Sequence, residues 1–230
     1  MEFYKDWFER WAGYAHIKTA VSDADSGESL TYQQLNNLSN YLAQQLEEKG
    51  LQPGDRLAVL SEYRLEYIVL LGVAMKLGII LVPLNYRLSS GELTYMINNC
   101  EPRVILSEQK YEHLIDKDQI SCQVDHYLSM NTLSHDLNKQ GSEFDYTAKN
   151  LPDDHPLFII YTSGTTGFPK GAIYTYRMAF WNAGNTQARL DITARDHTVI
   201  CMPPFHTAGW NVLMIPFLLQ GGSFTLLRKF

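Results

Sequence analysis

Two stretches of the chain repeat apolar residues at the spacing of an amphipathic helix. In the first, leucines recur every three or four positions from Leu35 to Leu46. Thr31 and Gln34 precede them as a capping box, and Gly50 follows as a helix stop. The second stretch contains Ser89, Glu92, Leu93, Met96 and Ile97. Both patterns predict a capped helix with one buried face.

Short apolar runs without polar alternation separate the helical stretches. A continuous apolar run is typical of a strand that is buried on both faces, and such strands alternating with helices form parallel sheets. The pattern predicts an α/β fold of mainly parallel sheets covered by helices on both faces. We expect Val104–Leu106, Phe158–Tyr161 and Val199–Met202 to be buried. The two further runs are Arg56–Leu60 and Phe224–Leu227.

The longest apolar stretch runs from Tyr67 to Leu84 and is about long enough to cross a bilayer. Lys76 lies near its middle, where a charge would be costly inside a membrane, and Pro83 lies near its end. We therefore interpret this stretch as a buried helix, a Lys-Leu-Gly turn and a buried strand.

The stretch from Gln109 to Asp154 differs from the rest of the chain. It is polar, and its apolar residues keep no long period. We place a soft boundary at residues 150–155, before the apolar run that contains Phe158. The boundary divides the chain into residues 1–150 and 151–230, which we expect to be two parts of one larger domain.

Composition and charge limit the partners that the protein can have. Of its 230 residues, 45% are hydrophobic and 19% are charged, and its formal net charge is −6. A negative chain without a basic block is poorly suited to nucleic-acid backbones or anionic membranes. The first residues do not combine a basic region with an apolar run, so they do not resemble a secretory signal.

The metal-binding and disulfide-forming residue types are few and scattered. Cys100, Cys122 and Cys201 are an odd number without a CxxC spacing, which favours a reduced, cytoplasmic protein. The seven histidines show no HxxxH pairing with another ligand, so we expect no metal site.

The segment from Tyr161 to Gly171 carries the chemistry, with the sequence YTSGTTGFPKG. It combines four hydroxyl residues, three glycines and one lysine between an apolar strand and a helix expected to begin near Thr175. Glycine allows close approach of backbone amides to an anion, hydroxyls donate hydrogen bonds, and lysine supplies a charge. These are the components of a phosphate-binding loop. A flexible linker has a similar composition, but it needs neither the buried strand nor the Pro-Lys-Gly end.

Two better known loops do not fit this segment. A Walker loop requires Gly-Lys-Ser/Thr, whereas here Pro169 precedes Lys170 and Gly171 follows it. A nucleophile elbow requires Gly two residues before the serine, whereas Tyr161 stands at that distance from Ser163.

The segment resembles the phosphate-loop signature of the adenylate-forming superfamily, which includes acyl-CoA synthetases, amino-acid adenylation domains and firefly luciferases. Other stretches are similar to family motifs in the same order, so the resemblance covers almost the whole chain and implies the N-terminal portion of the acyl-CoA synthetase fold. These stretches are Leu30–Leu35, Pro53–Arg56, Met75–Asn85 and Pro204–Gly209.

The resemblance implies a two-step reaction with ATP, Mg²⁺ and coenzyme A. A carboxylate attacks the α-phosphate to give an acyl-adenylate and pyrophosphate, and a thiol then displaces AMP. By position in the motif, the residues expected to hold the ATP phosphates are Thr162, Ser163, Gly164, Thr165, Thr166, Gly167 and Lys170. In this view residues 1–150 are a first α/β subdomain, and residues 151–230 carry the phosphate loop and the acyl pocket.

The resemblance also implies an acyl-binding side. His206 is expected there as the catalytic-site residue, with Phe205 and Trp210 as walls of the substrate pocket, although core packing explains both aromatic residues equally well. Amino-acid adenylation domains usually carry an aspartate in place of His206, where it pairs with the α-ammonium of the substrate. His206 therefore favours a fatty or aryl carboxylic acid.

The later motifs of the family are absent from this sequence. They comprise the segment for adenine and Mg²⁺, the ribose-binding aspartate, the hinge and the C-terminal lysine. We expect an N-terminal fragment of an acid–CoA ligase that is inactive alone, with self-association through the N-terminal aromatic helix or through an exposed sheet edge at Phe224–Phe230. The alternative is a non-catalytic module that binds a nucleotide or a partner on half of the same fold.

Overall fold

Helices and strands alternate along most of the chain. The computed structural model describes residues 4–136, 142–162 and 168–228. The strands are β1 (Thr19–Asp23), β2 (Ser29–Thr31), β3 (Arg56–Leu60), β4 (Ile80–Pro83), β5 (Val104–Ser107), β6 (His126–Ser129), β7 (Pro156–Thr162), β8 (Lys170–Thr175), β9 (His197–Ile200) and β10 (Ser223–Leu226). The α-helices are α1 (Trp7–Ala15), α2 (Tyr32–Glu48), α3 (Leu65–Leu77), α4 (Ser90–Cys100), α5 (Met130–Asp136), α6 (Tyr176–Leu190), α7 (Thr207–Asn211) and α8 (Met214–Leu219). Two 3₁₀ segments, Gln109–Leu114 and Lys117–Gln119, lie between β5 and β6.

The larger of the two described sheets has the strand order β6-β5-β3-β4-β7-β8. Its strands are parallel except for β8, which runs antiparallel to β7. Leu57 of β3 stands in register between Leu81 of β4 and Val104 of β5. The predicted α/β fold with mainly parallel strands is confirmed.

Hydrophobic layers cover both faces of this sheet. Successive side chains of a strand point to opposite faces. Leu57 and Val59 accordingly join the larger hydrophobic cluster, which includes residues of α2 and α3. Ala58 and Leu60 join a smaller cluster formed with α4. The expectation that helices cover both faces is therefore confirmed for this sheet.

The two predicted capping boxes begin helices. At the start of α2, the Thr31 hydroxyl accepts a hydrogen bond from the backbone nitrogen of Gln34 at 3.2 Å. The Gln34 side chain accepts one from the Thr31 nitrogen at 2.8 Å in return. Ser89 and Glu92 make the same reciprocal pair at the start of α4. Two backbone donors of each helix end are thereby satisfied, as the pattern predicts.

The long apolar stretch forms the buried helix α3 followed by the buried strand β4. Gly78 separates them with a φ of 80°, a left-handed conformation that glycine adopts without strain. The predicted Lys-Leu-Gly turn is wrong in part, because Lys76 lies inside the last helical turn and pairs there with Asp6. Across the described residues, no helix is both long and apolar enough to span a membrane.

The smaller sheet has the strand order β2-β1-β10-β9. Strand β10 is parallel to both of its neighbours, β1 and β9, and β2 is antiparallel to β1. Phe224 and Leu226 of β10 are fully buried. The expected exposed sheet edge at Phe224–Phe230 is therefore wrong for the described part of that range, because β10 is paired on both sides.

The three runs expected to be buried differ in the structure. Val104–Leu106 is buried throughout, which confirms the expectation, whereas Phe158–Tyr161 buries only alternate residues fully. The expectation is wrong for Val199–Met202. Val199 is 46% exposed and Met202 is 42% exposed, whereas Ile200 is buried. In β9 the exposed His197 and Val199 alternate with Thr198 and Ile200, so only one face of the strand packs on the core.

The polar stretch after Gln109 contains a strand and a helix that the hydrophobic pattern does not indicate. Strand β6 pairs parallel with β5 and extends the larger sheet. Its four residues are only partly buried or exposed, so it lacks an apolar run. Strands from both sides of residue 150 share both sheets, because β4 pairs with β7 and β1 pairs with β10. The division into residues 1–150 and 151–230 stays a prediction.

Candidate functional site

The predicted phosphate loop connects the two strands of a β-hairpin. Strands β7 and β8 pair antiparallel, and Thr162 stands opposite Lys170 next to the loop. The predicted ligands Ser163, Gly164, Thr165, Thr166 and Gly167 lie outside the described residues. Thr162 and Lys170 therefore mark where the motif lies in the fold.

Strand β8 lies between the loop and the helix that follows, and the sequence did not predict this strand. The structure places β8 first, and α6 begins afterwards at Tyr176. The hydroxyl of Thr175 accepts a hydrogen bond from the Met178 nitrogen at 3.3 Å, so the expected helix start near Thr175 is confirmed. Gly171 permits the close pairing of the hairpin, because a Cβ atom there would lie 2.7 Å from the Ile159 side chain.

Thr162 and Lys170 are exposed at the base of the loop. The two residues are direct partners across the hairpin, so their backbones lie side by side. A threonine hydroxyl can donate a hydrogen bond, and a lysine ammonium supplies a compact positive charge. The arrangement allows both side chains to act on one anion held by the loop.

A cavity of about 440 Å³ lies beside the hairpin. It opens at the carboxyl ends of β4 and β7, the edge at which open parallel sheets bind ligands. Thr162 and Phe205 line it, so the structure brings these two predicted site residues together. Lys170, His206 and Trp210 are not among the described residues that line it. Further lining residues are Pro83, Asn85, Tyr95, Met96, Tyr161 and Phe168.

Tyr161 fixes the end of β7 against helix α4. Its hydroxyl donates a hydrogen bond to the Asn99 side chain at 2.6 Å and lies 3.2 Å from the Met96 carbonyl oxygen. Burial raises the pKa of Tyr161 well above its usual value, so the hydroxyl keeps its proton as a donor. Sequence reasoning gave Tyr161 no separate role. Its place directly before the hydroxyl-rich segment was the available signal.

A group of three aromatic rings, contacted by cationic side chains, borders the cavity at Phe205. The ring of Tyr86 stacks on Tyr111 at 4.8 Å and meets Phe205 edge-on at 5.1 Å. The guanidinium carbon of Arg87 lies 5.6 Å from the centre of the Phe205 ring, and the Lys110 ammonium lies 4.9 Å from that of Tyr111. Such cation–ring contacts are favourable, and they orient Phe205. The sequence did not reveal this group, because its members come from distant parts of the chain.

His206 is the N-cap of the short helix α7. Its Nδ1 atom accepts a hydrogen bond from the Ala208 nitrogen at 3.1 Å, and the side chain is exposed. The ring is thereby held by one nitrogen, while Nε2 has no hydrogen-bond partner among the residues that the structure describes. A histidine on this motif can therefore serve both as a helix cap and as a ligand contact.

Trp210 lies in the core behind the motif. It is fully buried and packs against Phe158, Tyr63 and Tyr67 at ring distances of 4.8, 5.4 and 5.4 Å. Its Nε1 donates a hydrogen bond to the Pro204 carbonyl oxygen at 2.6 Å. This position favours the core-packing interpretation of Trp210. Its role as a wall of the substrate pocket stays a prediction.

A family model described as AMP-binding enzyme matches residues 8–230, nearly the whole chain. The chain belongs to this family. The resemblance based on the motif at 161–171 and on the other motif-like stretches is confirmed.

Curated relatives of the chain include several acid–CoA ligases. A long-chain-fatty-acid–CoA ligase, FadD13 of Mycobacterium tuberculosis, is 31% identical over 80% of this chain and 37% of its own length. An indoleacetate–CoA ligase of Aromatoleum aromaticum is 30% identical over 98% of this chain and 45% of its own length. A feruloyl-CoA synthase of Amycolatopsis is 29% identical over 97% of this chain and 44% of its own length. The chain spans less than half the length of these relatives.

Solved structures of similar proteins share the fold. The inhibitor-bound N-terminal domain of FACL13 from Mycobacterium tuberculosis has a TM-score of 0.87 and 28% identity, over 100% of this chain and 58% of that chain. ATP-bound MatB from Rhodopseudomonas palustris has a TM-score of 0.83 and 26% identity, over 99% of this chain and 46% of that chain. The fold of this chain is therefore that of the N-terminal part of acyl-CoA synthetases.

Proposed function

We propose that this chain is the N-terminal part of an ATP-dependent acid–CoA ligase. In the proposed reaction a carboxylate oxygen attacks the α-phosphorus of ATP and displaces pyrophosphate, which gives an acyl-adenylate. The thiol of coenzyme A then attacks the acyl carbon and displaces AMP. The observation that carries the proposal is the position of the described ends of the motif: Thr162 pairs with Lys170 across the hairpin, and Thr162 lines the cavity at the carboxyl ends of the strands.

The phosphate side of the proposed site is the hairpin loop. We assign the ATP phosphates to Thr162 and Lys170 together with residues 163–167. Negative charge grows on the departing pyrophosphate, and donors aimed at that charge lower the barrier. A lysine and a threonine that face each other across the hairpin suit this role, since both are exposed next to the loop.

The acyl side of the proposed site is the segment from Phe205 to Trp210. Phe205 lines the cavity, the exposed His206 follows it, and Trp210 supports the segment from the core. We propose a substrate without an α-ammonium group, a fatty or aryl carboxylic acid. An imidazole offers no carboxylate to pair with an ammonium, whereas its ring nitrogen can form a hydrogen bond with a carboxylic acid.

ATP and coenzyme A are the proposed co-substrates, and ATP is expected to act as its Mg²⁺ complex. Among the described residues, no group of three or more His, Cys, Asp or Glu side chains could hold a metal ion. No step is assigned to the metal through the described residues.

The location and assembly of the protein are further parts of the proposal. We place it in the cytoplasm, which its three free cysteines favour. Self-association through the N-terminal helix would use the large hydrophobic side chains that are exposed in and beside this helix. These are Tyr4, Tyr14 and Ile17.

ATP–pyrophosphate exchange by the gene product that contains these 230 residues tests the function. We expect exchange with fatty or aryl acids and none with amino acids. His206→Asp should lower that exchange by at least about tenfold, because a carboxylate there repels the carboxylate of the substrate. His16→Asp is the matched control, since His16 is exposed at the end of α1.

Three outcomes contradict parts of this proposal. Preference for amino acids overturns the substrate class. Equal exchange by the two aspartate variants overturns the assignment of His206. Retained ATP binding without exchange on any acid favours the non-catalytic binding module instead.

A further inference from the structure

Two cysteines that are distant in sequence contact the same backbone oxygen. Cys100 is the last residue of α4, and its Sγ lies 3.7 Å from the Ile97 carbonyl oxygen. Cys122 lies in the segment between Lys117–Gln119 and β6, and its Sγ lies 3.6 Å from the same oxygen. Thiols are weak donors, and a carbonyl oxygen has two lone pairs, so one acceptor serves both. The two sulfur atoms therefore share one small site at the end of the helix.

Asn98 holds the segment that carries Cys122 against α4. Its Oδ1 atom accepts hydrogen bonds from the Ser121 nitrogen at 2.7 Å and the Cys122 nitrogen at 3.4 Å. Its Nδ2 atom donates to the Gln119 carbonyl oxygen at 3.1 Å. One side chain thus fixes this segment at three residues, Gln119, Ser121 and Cys122. The pairing of the two thiols is set by this clamp, since the segment cannot leave α4 without losing these bonds.

The two thiols differ in access. Cys100 is 6% exposed, whereas Cys122 is partly exposed and lines an open groove of about 560 Å³. Arg56 and Arg103 line the same groove. Glu101 and Asp125 line it as well, and Arg103 pairs with Asp125. A small reagent in solution can therefore reach Cys122 more readily than the buried Cys100. This order of access suits a first reaction at Cys122 and a second at Cys100.

We infer that Cys100 and Cys122 are a modification site that forms a reversible intramolecular disulfide. The oxidant is a small-molecule disulfide such as glutathione disulfide. The Cys122 thiolate attacks one sulfur of the oxidant, forms a mixed disulfide and releases one glutathione thiolate, which takes up the proton that Cys122 lost. The Cys100 thiol then loses its proton, attacks Cys122 Sγ and releases the second glutathione thiolate, which takes up that proton. Two protein thiols are oxidised and one glutathione disulfide is reduced to two thiols.

The pH dependence of this reaction follows from the surroundings of the thiols. Burial raises the pKa of Cys100 to about 12, and burial also raises the pKa of Cys122. Arg56 acts in the opposite direction on both thiols, and the neighbouring carboxylate of Glu101 raises the pKa of Cys122 further. The thiolate is the reacting form, so the rate should rise about tenfold per pH unit between pH 7 and pH 8.

The disulfide would lie next to the wall of the candidate cavity. The same last turns of α4 hold the Tyr161 hydroxyl through Met96 and Asn99, and Tyr161 contacts Cys100. Tyr161 lines the cavity directly before Thr162. A covalent link at Cys100 thus acts on a helix end that positions the hairpin.

Thiol counting on the 230-residue chain tests this inference. After incubation with glutathione disulfide at pH 8, we expect the free thiols to fall from three to one, with reversal by dithiothreitol. Mass spectrometry of the digest should find a peptide pair linked through Cys100 and Cys122. Cys201→Ser is the matched control and should form the same link.

Cys122→Ser and Cys100→Ser should each block the link. Cys122→Ser is the primary variant, because Cys122 is the more exposed of the two and its change is less disruptive for folding. Three free thiols after prolonged oxidation would overturn the inference. A glutathione adduct that remains on Cys122 without a link to Cys100, or a link that includes Cys201, would overturn it equally. These results do not depend on any ligase activity.

Discussion

Lys76 is a charged side chain in the hydrophobic interior, 1% exposed at the end of α3. Its ammonium lies 2.5 Å from the Asp6 carboxylate and 2.7 Å from the Asn36 side-chain oxygen. Asp6 also caps α1, where it accepts a hydrogen bond from the Glu9 nitrogen at 3.0 Å. Removing one member of a buried pair leaves an uncompensated charge. The pair therefore ties the position of α1 to that of α3.

Lys76→Met should lower the free energy of unfolding by about 3–5 kcal/mol, because Asp6 is left buried without its cation. Adding Asp6→Asn removes that stranded charge and keeps a capping side chain, so the double variant should regain part of the loss. Urea denaturation of the single and double variants measures both effects. A double variant that is no more stable than Lys76→Met would contradict this account of the pair.

For single residues, the sequence predicted the chemical character of a side chain better than it predicted which other residues that side chain contacts. The lysine argued against a membrane span, and this followed from its charge alone. Its place in a turn was wrong, because the ion pair with Asp6 depends on how α1 packs, and nothing near Lys76 in the sequence specifies that packing. Trp210 shows the same limit. The motif around it was evident, whereas its position in the core depends on Phe158 and Tyr63, which come from other elements.

Three helices meet closely at Gly72, in the middle of α3. A Cβ atom at Gly72 would collide with the Ser39 side chain of α2, and it would lie 2.7 Å from the Phe8 ring of α1. The Ser39 hydroxyl donates a hydrogen bond across this contact to the Val69 carbonyl oxygen at 3.2 Å. The absence of a side chain at Gly72 therefore allows α1 and α2 to pack on α3.

Gly72→Ala should lower the free energy of unfolding by about 1–3 kcal/mol, because the added methyl group overpacks this contact. Gly184→Ala in α6 is the matched control, since a Cβ there would have no neighbour within 4 Å. Alanine should stabilise that helix by about 0.5–1 kcal/mol relative to glycine. Chemical denaturation compares the two variants, and equal effects would show that the helices do not meet at Gly72.

Elements defined by local signals were predictable from the sequence. The capping boxes at Thr31 and Ser89 depend on residues three positions apart, and the structure reproduces both. Strands β6 and β8 were not predicted, since each is recognised only by its pairing with a neighbouring strand. The predicted burial of Val199 was wrong for a related reason: a single apolar run does not show whether other elements cover both faces of its strand.

The two sheets share one core at the scale of the whole molecule. Val21 and Phe224 from the smaller sheet belong to the same hydrophobic cluster as Leu57 and Leu81 from the larger one. This cluster supports β7 from one face, and the smaller cluster supports it from the other. The hairpin that carries the phosphate motif therefore extends from a strand that is packed on both faces.

The sequence predicted the motifs of the candidate site but not the position of the cavity in the fold. The sequence identified residues 161–171 and 204–209 as the segments with chemistry, and their family is confirmed. The cavity between them could not be read from the sequence. Its remaining walls come from β4 and α4, which only the strand order brings beside β7.

Residues 162–170 are proposed to hold the phosphates of ATP, and nuclear magnetic resonance titration of the 230-residue chain detects such binding at the hairpin itself. With ATP, and separately with tripolyphosphate, the backbone amide signals of Thr162, Lys170 and Gly171 should shift and saturate. We expect a dissociation constant of about 1 mM, which corresponds to about −4 kcal/mol. Lys170→Ala should weaken binding about tenfold or more, because a charge-assisted bond is lost. The exposed Lys49 provides the control variant Lys49→Ala.

The account predicts that ATP and tripolyphosphate shift the same hairpin signals, that Lys170→Ala reduces both responses, and that Lys49→Ala changes neither. Shifts confined to other parts of the chain, or equal affinity of the two lysine variants for ATP, would contradict it.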